Sequence, residues 1–473
     1  MSHEHNQNCN DSTDLVYQDS YLPHMSALLD TATMTSVLTG QLASWQSDSW
    51  TVFNCRQVRV KYKPRKNCLA VYEIALKNQQ TNREMQLNIT CRTYEHLGSE
   101  RRYRKAQKEI KGDSLACQTV FHVPELEMVV WIFPCERKLL SLPLMSNNHY
   151  LKHVIMPELV TQTWGKNWRI QAISSEIVHY VPEQTCTTRV HMALIEKQMQ
   201  LFMKKTLYGK CYYNHDGART FRVMDKLHDA SRRGATPLNF PKPLSYDAEN
   251  KLLWQEGLSG QTLRDAGISD QHAEQLLPLA AKAIALFHRI SIDMPLPVTG
   301  VADIIAMLHH RMEVLSHVSL IDQLTLKRTV RLLEDTASTL NHCPLAVLHG
   351  DVHSQNLFLQ EQSIALIDLD NVTQGPPLLD LASWAGGMIY WAAMQNTPAD
   401  QLLPKLKILV THYNQYAVNP VNGEDLNWYL AAILINERVF RCVTRLKSGR
   451  LRIVNKLLNF AEEFALHQHR ILP

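Results

Sequence analysis

Two kinds of hydrophobic pattern divide the chain near residue 265. Before this point, apolar residues occur in short β-rich runs that are separated by polar turns containing proline or glycine. After it, apolar residues recur at helical spacing, as in DQHAEQLLPLAAKAIALFHRI and GVADIIAMLHHRMEVL. The pattern therefore predicts an α+β protein in which a β-rich part precedes a helical part.

The β-rich part contains a similar pattern twice, at an offset of 118 residues. VKYKPRKNCLAVYEIAL (60–76) aligns with VHYVPEQTCTTRVHMAL (178–194), and both predict a β-hairpin with a proline-containing turn. Two further pairs follow in the same order: ITCRTYEHLGSERRYRKA with YGKCYYNHDGARTFRVMDKL, and MVVWIFPCERKL with LLWQEGLSGQTL. We therefore expect one small, mostly β unit to be present twice, as a first β-unit at about 45–145 and a second β-unit at about 170–264.

Composition and charge narrow the class of protein. A hydrophobic content of 45% and a charged content of 20% are those of an ordinary soluble globular protein. The net charge of +4 is too mild to indicate nucleic acid or a membrane surface as a partner. No C-x-x-C pair and no long apolar stretch occurs, which disfavours a zinc module and a membrane span. We expect a cytoplasmic protein.

One stretch of the helical part places charged and polar groups between apolar strands. It reads VLHGDVHSQNLFL (347–359) and is followed by IALIDLDNV (364–372). His349, Asp351 and Asn356 form H-x-D-x-x-x-x-N, and Asp368 lies twelve residues beyond the asparagine. Charged groups beside a buried strand are costly unless a partner or a metal compensates them. The spacing therefore requires a chemical explanation.

Phosphoryl transfer from a nucleotide supplies such an explanation. It needs a carboxylate that orients or deprotonates the accepting hydroxyl, hard oxygen ligands for Mg²⁺, and a cation that steadies the phosphates. Asp351 would face the acceptor, while Asn356 and Asp368 would hold Mg²⁺. The protein-kinase catalytic loop has the same interval between its aspartate and asparagine.

Together, HGDVHSQN, LIDLDN and GPPLLDLAS resemble the aminoglycoside phosphotransferase and choline kinase-like superfamily, over about 176–473. The resemblance implies a bilobal, protein kinase-like fold and ATP-dependent transfer of phosphate to a small hydroxylated molecule. By position, Asp351 matches the catalytic aspartate, and Asp380 matches the aspartate that braces the catalytic loop. Asn356 and Asp368 match the Mg²⁺ ligands.

The resemblance leaves three neighbouring side chains with two interpretations each. His349 is expected to orient the catalytic loop, and the alternative is a core histidine with satisfied hydrogen bonds. Asp370 is a candidate for acceptor or metal contact, and surface hydrogen bonding is as good an interpretation. His353 lies beside the expected acceptor site, where contact and no contact are equally compatible with the sequence.

On the nucleotide side, kinase-like folds place a lysine on a strand of the small lobe. We predict Lys210 in LYGKCYY for this role, because family members resemble Y-x-K-x-Y here, and Lys204 or Lys205 are the rivals. In the first β-unit the corresponding place is expected to hold Thr90 or Cys91, which implies that nucleotide binding is absent there.

The other nucleotide contacts are less well marked. Asp225 is the candidate carboxylate partner of the lysine, where relatives usually have glutamate. No G-x-G occurs, but the hairpin turn at 181–187 has backbone N–H groups that could cover phosphates. The hinge that meets the adenine is expected at four consecutive residues, namely Gln255, Glu256, Gly257 and Leu258.

The pattern and the resemblance together predict four segments. They are a disordered polar N-terminus (1–20), a small-lobe-like degenerate β-unit (21–165), a nucleotide-binding small lobe (166–264) and a helical catalytic and acceptor-binding lobe (265–473). We expect the additional β-unit to pack against the small lobe or to mediate a homodimer.

Three functions compete. The leading one is a kinase that uses ATP and Mg²⁺ to phosphorylate a hydroxyl of a sugar, aminosugar or amino alcohol. The alternative is a nucleotide-binding pseudokinase whose duplicated β-unit docks another protein, but a scaffold has no need for Asp351, Asn356 and Asp368 together. A protein kinase or nucleotidyltransferase is the third, and the missing glycine loop and A-P-E signature disfavour the protein kinase.

Overall fold

The computed structural model describes residues 19–45, 50–109, 120–136, 138–139, 141–268, 272–361, 363–447, 449–469 and 471. Most of the predicted disordered N-terminus, residues 1–18, lies outside the described residues. The α-helices are α1 (Met25–Leu29), α2 (Thr31–Trp45), α3 (Ser99–Glu109), α4 (Leu142–Met145), α5 (Asn148–Tyr150), α6 (Met156–Trp164), α7 (Asp216–Arg232), α8 (Ala273–His288), α9 (Val301–Leu315), α10 (Gln323–Thr336), α11 (Leu378–Gln395), α12 (Ala399–Tyr416), α13 (Gly423–Ile433), α14 (Phe440–Thr444) and α15 (Val454–Ala465).

The strands are β1 (Trp50–Lys63), β2 (Asn67–Asn78), β3 (Glu84–Tyr94), β4 (Val120–Val123), β5 (Met128–Ile132), β6 (Trp168–Val181), β7 (Thr185–Glu196), β8 (Phe202–Tyr212), β9 (Pro243–Asp247), β10 (Leu252–Glu256), β11 (Gln261–Thr262), β12 (Ala346–Leu348), β13 (Leu357–Leu359), β14 (Ile364–Leu366) and β15 (Thr373–Gly375). Short 3₁₀ and π turns complete the set: 3₁₀ at Pro124–Leu126, Ala337–Thr339, Leu369–Asn371 and Leu451–Ile453, and π at Leu151–Ile155 and Leu434–Val439.

Two five-stranded antiparallel sheets have the same topology. Their strand orders are β1-β2-β3-β5-β4 and β6-β7-β8-β10-β9. In each sheet, a long hairpin and a third strand are followed by a helix, α3 or α7, and then by the last two strands. The predicted fold class is confirmed, because a β-rich unit occurs twice and a helical part follows it.

The turns of the two sheets also repeat in backbone conformation. Arg65 and Glu183, at the tips of the first hairpins, have φ of 59° and 60° and stand 118 residues apart. Asn82 and Gln200, in the next turns, have φ of 57° and 54° at the same offset. Residues other than glycine rarely adopt this left-handed conformation. The repeat therefore extends to the backbone of individual turn residues.

A carboxylate binds each first hairpin from upstream. Asp19 Oδ2 accepts the Arg65 N–H at 2.8 Å and the Tyr62 hydroxyl at 2.7 Å. Glu136 Oε2 accepts the Glu183 N–H at 2.8 Å. Both carboxylates are buried, and both lie well before the first strand of their sheet. The structural repeat thus begins earlier than the hydrophobic pattern indicates, because the helices between carboxylate and strand belong to it.

The register of the sheets corrects one prediction. Tyr94 lies opposite the first residue of β2, as Tyr212 lies opposite the first residue of β7. Two residues before these tyrosines stand Arg92 in the first sheet and the predicted nucleotide lysine in the second. The expectation of Thr90 or Cys91 at this place is therefore wrong. Aligning ITCRTY with YGKCYY shifts the register by one residue, and the strand pairing follows the offset of 118 residues instead.

The chain forms two compact bodies. The smaller body consists of Met1–Cys135, Glu313–Gln323 and Val439–Lys456, and within it α14 packs against β1. The larger body consists of Glu136–Met312, Leu324–Arg438 and Leu457–Pro473. In the larger body, α8 packs against α12 and α11 packs against α13. Among the helices that the structure describes, none is both long and apolar enough to cross a membrane.

Candidate active site

The H-x-D-x-x-x-x-N motif forms a loop between two short strands of the larger body. It leaves β12 at His349 and enters β13 directly after Asn356. Gly350 has φ of 76°, and a Cβ there would lie 2.2 Å from Asn371 O. Only glycine therefore lets this loop touch the turn that follows Asp368. We call 349–356 the catalytic loop and 366–371 (LIDLDN) the LDLDN loop, after its two leucines, two aspartates and asparagine.

Asp380, in the first turn of α11, binds the backbone of the catalytic loop. Its Oδ2 accepts the His349 N–H at 2.7 Å, and its Oδ1 accepts the Gly350 N–H at 2.9 Å. Burial alone would raise the pKa of Asp380, but hydrogen bonding and charge from His288, with His349, hold that pKa below its ordinary value. A buried carboxylate thus fixes the start of the loop.

His288 links Asp380 to a tyrosine on another helix. His288 Nε2 lies 3.1 Å from Asp380 Oδ2, and its Nδ1 lies 2.8 Å from the hydroxyl of Tyr413. Both ring nitrogens of His288 therefore have a hydrogen-bond partner. Three helices, α8, α11 and α12, therefore support the loop through one buried hydrogen-bonded chain.

The polar side chains of the catalytic loop differ in burial and in hydrogen-bond partners. His349 is buried, and its Nε2 donates to Ile367 O at 2.9 Å, which ties the loop to the LDLDN loop. Asn356 is buried, and its Nδ2 donates to Asp351 O at 3.0 Å. The Asp351 carboxylate is 30% exposed, and its Oδ2 lies 3.9 Å from Nε2 of His353. Of these groups, the Asp351 carboxylate and the His353 imidazole are the ones open to an incoming molecule.

Lys210 on β8 meets both carboxylates of the LDLDN loop. Its Nζ lies 2.7 Å from Asp368 Oδ1 and 2.6 Å from Asp370 Oδ2. Burial alone would lower the pKa of Lys210, but the charges of Asp370 and Asp368 raise that pKa above its ordinary value. Asp368 has φ of 60°, a conformation that non-glycine residues rarely adopt and that often marks functional sites.

Two further residues hold the LDLDN loop. The hydroxyl of Tyr212 donates to Asp370 Oδ1 at 2.8 Å. Arg219, near the start of α7, donates through Nη2 to Asp370 O at 2.6 Å and through Nη1 to Val372 O at 3.4 Å. The second sheet and α7 therefore bind the loop that carries the candidate metal ligand.

Lys205 and Asp225 lie outside this cluster, and Lys204 is exposed on β8. Asp225 is exposed on α7, and the ion pairs of Lys210 in the described part of the chain go to the LDLDN loop. Lys205 lies over the ring of Trp164 and 4.0 Å from Glu256. The predicted Asp225–Lys210 pair is therefore absent from this geometry.

The predicted hinge consists of the last two residues of β10 and the two residues after it. The Glu256 N–H donates to Lys242 O at 2.9 Å, and the Gly257 N–H donates to Thr206 O at 2.9 Å. A Cβ on Gly257 would lie 3.0 Å from that same carbonyl, so the close approach favours glycine. Gln255 and Glu256 pair with β8 within the sheet, and Gly257 and Leu258 come after the strand.

The donor set fits Mg²⁺ that is bound together with a nucleotide. Asn356 and Asp368 offer an amide oxygen and a carboxylate, both hard ligands. In the parts of the chain that the structure describes, no group of three or more His, Cys, Asp or Glu side chains could hold a metal ion. Mg²⁺ is usually held by one or two carboxylates, with phosphate oxygens and water completing its shell.

The sequence pattern missed several residues that support the site. Gly350 stands inside the motif, and its place between two polar residues of a tight loop is a usable signal. His288, Tyr413 and Arg219 are distant in sequence from the motif, and no local pattern connects them to it. Tyr212 is the second tyrosine of Y-x-K-x-Y, but that pattern assigned it no role. Only the fold brings them together.

Comparison with known proteins gives a family for this part of the chain. Residues 212–407 match the model of the phosphotransferase enzyme family. No curated protein matches the chain.

Solved structures similar to this chain include a choline/ethanolamine kinase family protein from Mesorhizobium loti, with 15% identity, 69% of this chain and 100% of that chain covered, and a TM-score of 0.44. A Plasmodium vivax ethanolamine kinase has 14% identity, covers 71% of this chain and 92% of its own, and has a TM-score of 0.42. An aminoglycoside phosphotransferase from Streptomyces rimosus has 14% identity and a TM-score of 0.38, and the match covers 55% of this chain and 92% of that chain. The family match spans all the candidate site residues except Lys210. The predicted resemblance and enzyme class are confirmed for this part of the chain, because residues 212–407 match the model of the phosphotransferase enzyme family.

Proposed function

We propose that the protein transfers the γ-phosphate of ATP to a hydroxyl of a small molecule. The observation that carries the proposal is the cluster formed by the catalytic loop, the LDLDN loop and Lys210. The lysine comes from the second sheet, and the two loops come from the helical part of the larger body. A cation, hard oxygen ligands and an open carboxylate are the groups that phosphoryl transfer needs.

Asp351 would orient the acceptor hydroxyl and take its proton. Its carboxylate is partly exposed, whereas its backbone carbonyl is bound by Asn356. The base is therefore attached to a rigid loop but open to an incoming hydroxyl. A general base is worth about 10²–10⁴-fold in rate, and the rigid loop holds the reacting oxygen in line.

The nucleotide side would use residues of both loops and of the second sheet. Asn356 and Asp368 would hold Mg²⁺, which would neutralise negative charge on the transferred phosphate. Lys210 would steady the phosphates, as the corresponding lysine does in kinase-like folds. The hairpin turn between β6 and β7 would cover the phosphates with backbone N–H groups, and the Gln255–Leu258 hinge would meet the adenine.

The acceptor is proposed to be a sugar, an aminosugar or an amino alcohol. His353 remains the candidate acceptor contact, because its imidazole lies beside the Asp351 carboxylate and is 41% exposed. A cytoplasmic location and a homodimer stay predictions from the sequence.

An ATP-consumption screen over sugars, aminosugars, choline-like alcohols and hydroxylated amino acids tests the proposal. We expect at least one acceptor to be phosphorylated, and Asp351→Ala to lose at least 10²-fold in turnover while still binding MgATP. Nucleotide binding without transfer to any acceptor would instead favour the pseudokinase. Unchanged turnover in Asp351→Ala would remove that residue from the mechanism.

A further inference from the structure

We propose that Asp370 is the carboxylate that positions the nucleotide lysine, and that Tyr212 and Arg219 are positioning residues that fix Asp370. This inference rests on the proposed function, because it assigns supports to Lys210 in the same site. Asp370 is thereby assigned to the nucleotide side rather than to acceptor contact. Helix α7 contributes Arg219 instead of a carboxylate.

The two carboxylates that meet Lys210 differ in what else they can do. The side chain of Asp368 is 38% exposed, and that of Asp370 is 20% exposed. Asp368 matches the Mg²⁺ ligand, so its charge is shared when the nucleotide is bound. A lysine that is mostly buried needs a charge partner that stays with it. Asp370 is the carboxylate in a position to remain.

Asp370 is held at three atoms. Oδ2 meets Lys210, Oδ1 accepts the Tyr212 hydroxyl at 2.8 Å, and the backbone oxygen accepts Arg219 Nη2 at 2.6 Å. The side chain of Asp368, in contrast, has Lys210 as its hydrogen-bond partner within the described residues. Hydrogen bonds to charged groups are shorter and stronger than neutral ones. The orientation of Asp370 is therefore fixed before any nucleotide binds.

The sequence order explains why Tyr212 reaches the same carboxylate as the lysine. Alternate residues of a strand point to the same face, so Lys210 and Tyr212 on β8 point together toward the LDLDN loop. The lysine Nζ lies 5.7 Å from the tyrosine ring centroid. Lysine, tyrosine and aspartate thus form one packed group in which each member limits the motion of the others.

The geometry also explains why α7 provides no carboxylate partner for Lys210. In relatives, a helix carboxylate is expected to pair with the lysine, and Asp225 was the candidate here. Asp225 is exposed, while Arg219 binds the backbone of the LDLDN loop. In this chain α7 therefore contacts the metal loop through an arginine, and the lysine takes its carboxylate from that loop.

The test compares Tyr212→Phe, Asp370→Asn and the wild-type chain by MgATP calorimetry and steady-state kinetics. Tyr212→Phe removes one hydroxyl and no charge. We expect it to raise the Kd and KM for MgATP about threefold to tenfold, with kcat and the acceptor KM within about twofold. Asp370→Asn should raise the same two constants further, by about tenfold to a hundredfold. Asp229→Asn, an exposed change on α7, is the matched control.

Two results would overturn the proposal, and a third would contradict the proposed function itself. A rise in acceptor KM with unchanged MgATP affinity would overturn the proposal and restore Asp370 as an acceptor contact. Loss of MgATP affinity in Asp225→Asn, with Tyr212→Phe unaffected, would also overturn it. Thermal unfolding checks that each variant folds, and Tyr212→Phe keeps the test valid if Asp370→Asn does not. Wild-type protein that binds no MgATP would contradict the proposed function itself, which the first titration shows before any variant is made.

Discussion

The first and second β-units have the same sheet topology, but they differ in what surrounds the cationic side chain at one equivalent position. In the second sheet, Lys210 meets two carboxylates of the LDLDN loop. In the first sheet, the equivalent Arg92 lies 5.9 Å from the centroid of the Trp131 ring. No H-x-D-x-x-x-x-N motif occurs in residues 1–165. We therefore expect nucleotide binding where the loops accompany the sheet and the cation, and not in the first β-unit.

Some features are shared by both β-units, and we assign these to the fold rather than to the proposed reaction. Both units keep the left-handed hairpin tip and the buried carboxylate that binds it, through Asp19 and Glu136. These features occur in a unit without the catalytic motif, so they serve the sheet. The contacts of Lys210 and Tyr212 with the LDLDN loop belong to the second sheet, and they are the ones to test for function.

The largest effect is expected where the two loops touch. In Gly350→Ala the added Cβ would lie 2.2 Å from Asn371 O, at a backbone with φ of 76°. The loops must separate, and a displacement of about 1 Å at a reacting group can cost about 10²-fold in rate. We expect a loss of that size in kcat, measured with the acceptor found by the screen. Gly234→Ala, at φ of 72° with nothing within 4 Å, is the control. An equal loss in both variants would show that backbone strain, rather than loop contact, is responsible.

A smaller effect is expected from the carboxylates shared by both units. Asp19→Ala removes the acceptor for Arg65 N–H and the Tyr62 hydroxyl, and Glu136→Ala removes the acceptor for Glu183 N–H. Leaving buried donors without an acceptor costs about 1–3 kcal/mol, so each change should lower the free energy of unfolding by about that amount. Denaturant titration measures both. A loss confined to one variant would contradict a shared structural role.

The smallest effect is a pH dependence that belongs to the catalytic loop. The pKa of Asp380 is held below its ordinary value in the folded protein. The unfolded state therefore binds this proton more readily, and the stabilisation is complete above about pH 5 and is lost as pH falls through the folded pKa. The difference in unfolding free energy between wild type and Asp380→Asn should be constant from pH 5 to 7 and shrink below pH 4. A difference that grows on acidification would have the wrong sign.

The sequence was sufficient for the duplication, the helical part and the loop motif, because these depend on local periodicity and spacing. It was not sufficient for the partner of Lys210. Asp225 fits the order of elements, but the rotation of α7 leaves it exposed and turns Arg219 to the LDLDN loop. The equivalence of Arg92 was also missed, because aligning ITCRTY with YGKCYY shifts the register by one residue from the offset of 118. Contacts between residues about 150 positions apart, such as Tyr212 with Asp370, leave no local signal.

The stoichiometry of MgATP binding tests the central claim most directly. Calorimetry on the full chain should give one site, which Lys210→Ala weakens by at least tenfold and Arg92→Ala leaves within about twofold. Two sites, or one site that depends on Arg92 rather than Lys210, would contradict the assignment of nucleotide binding to the second β-unit alone.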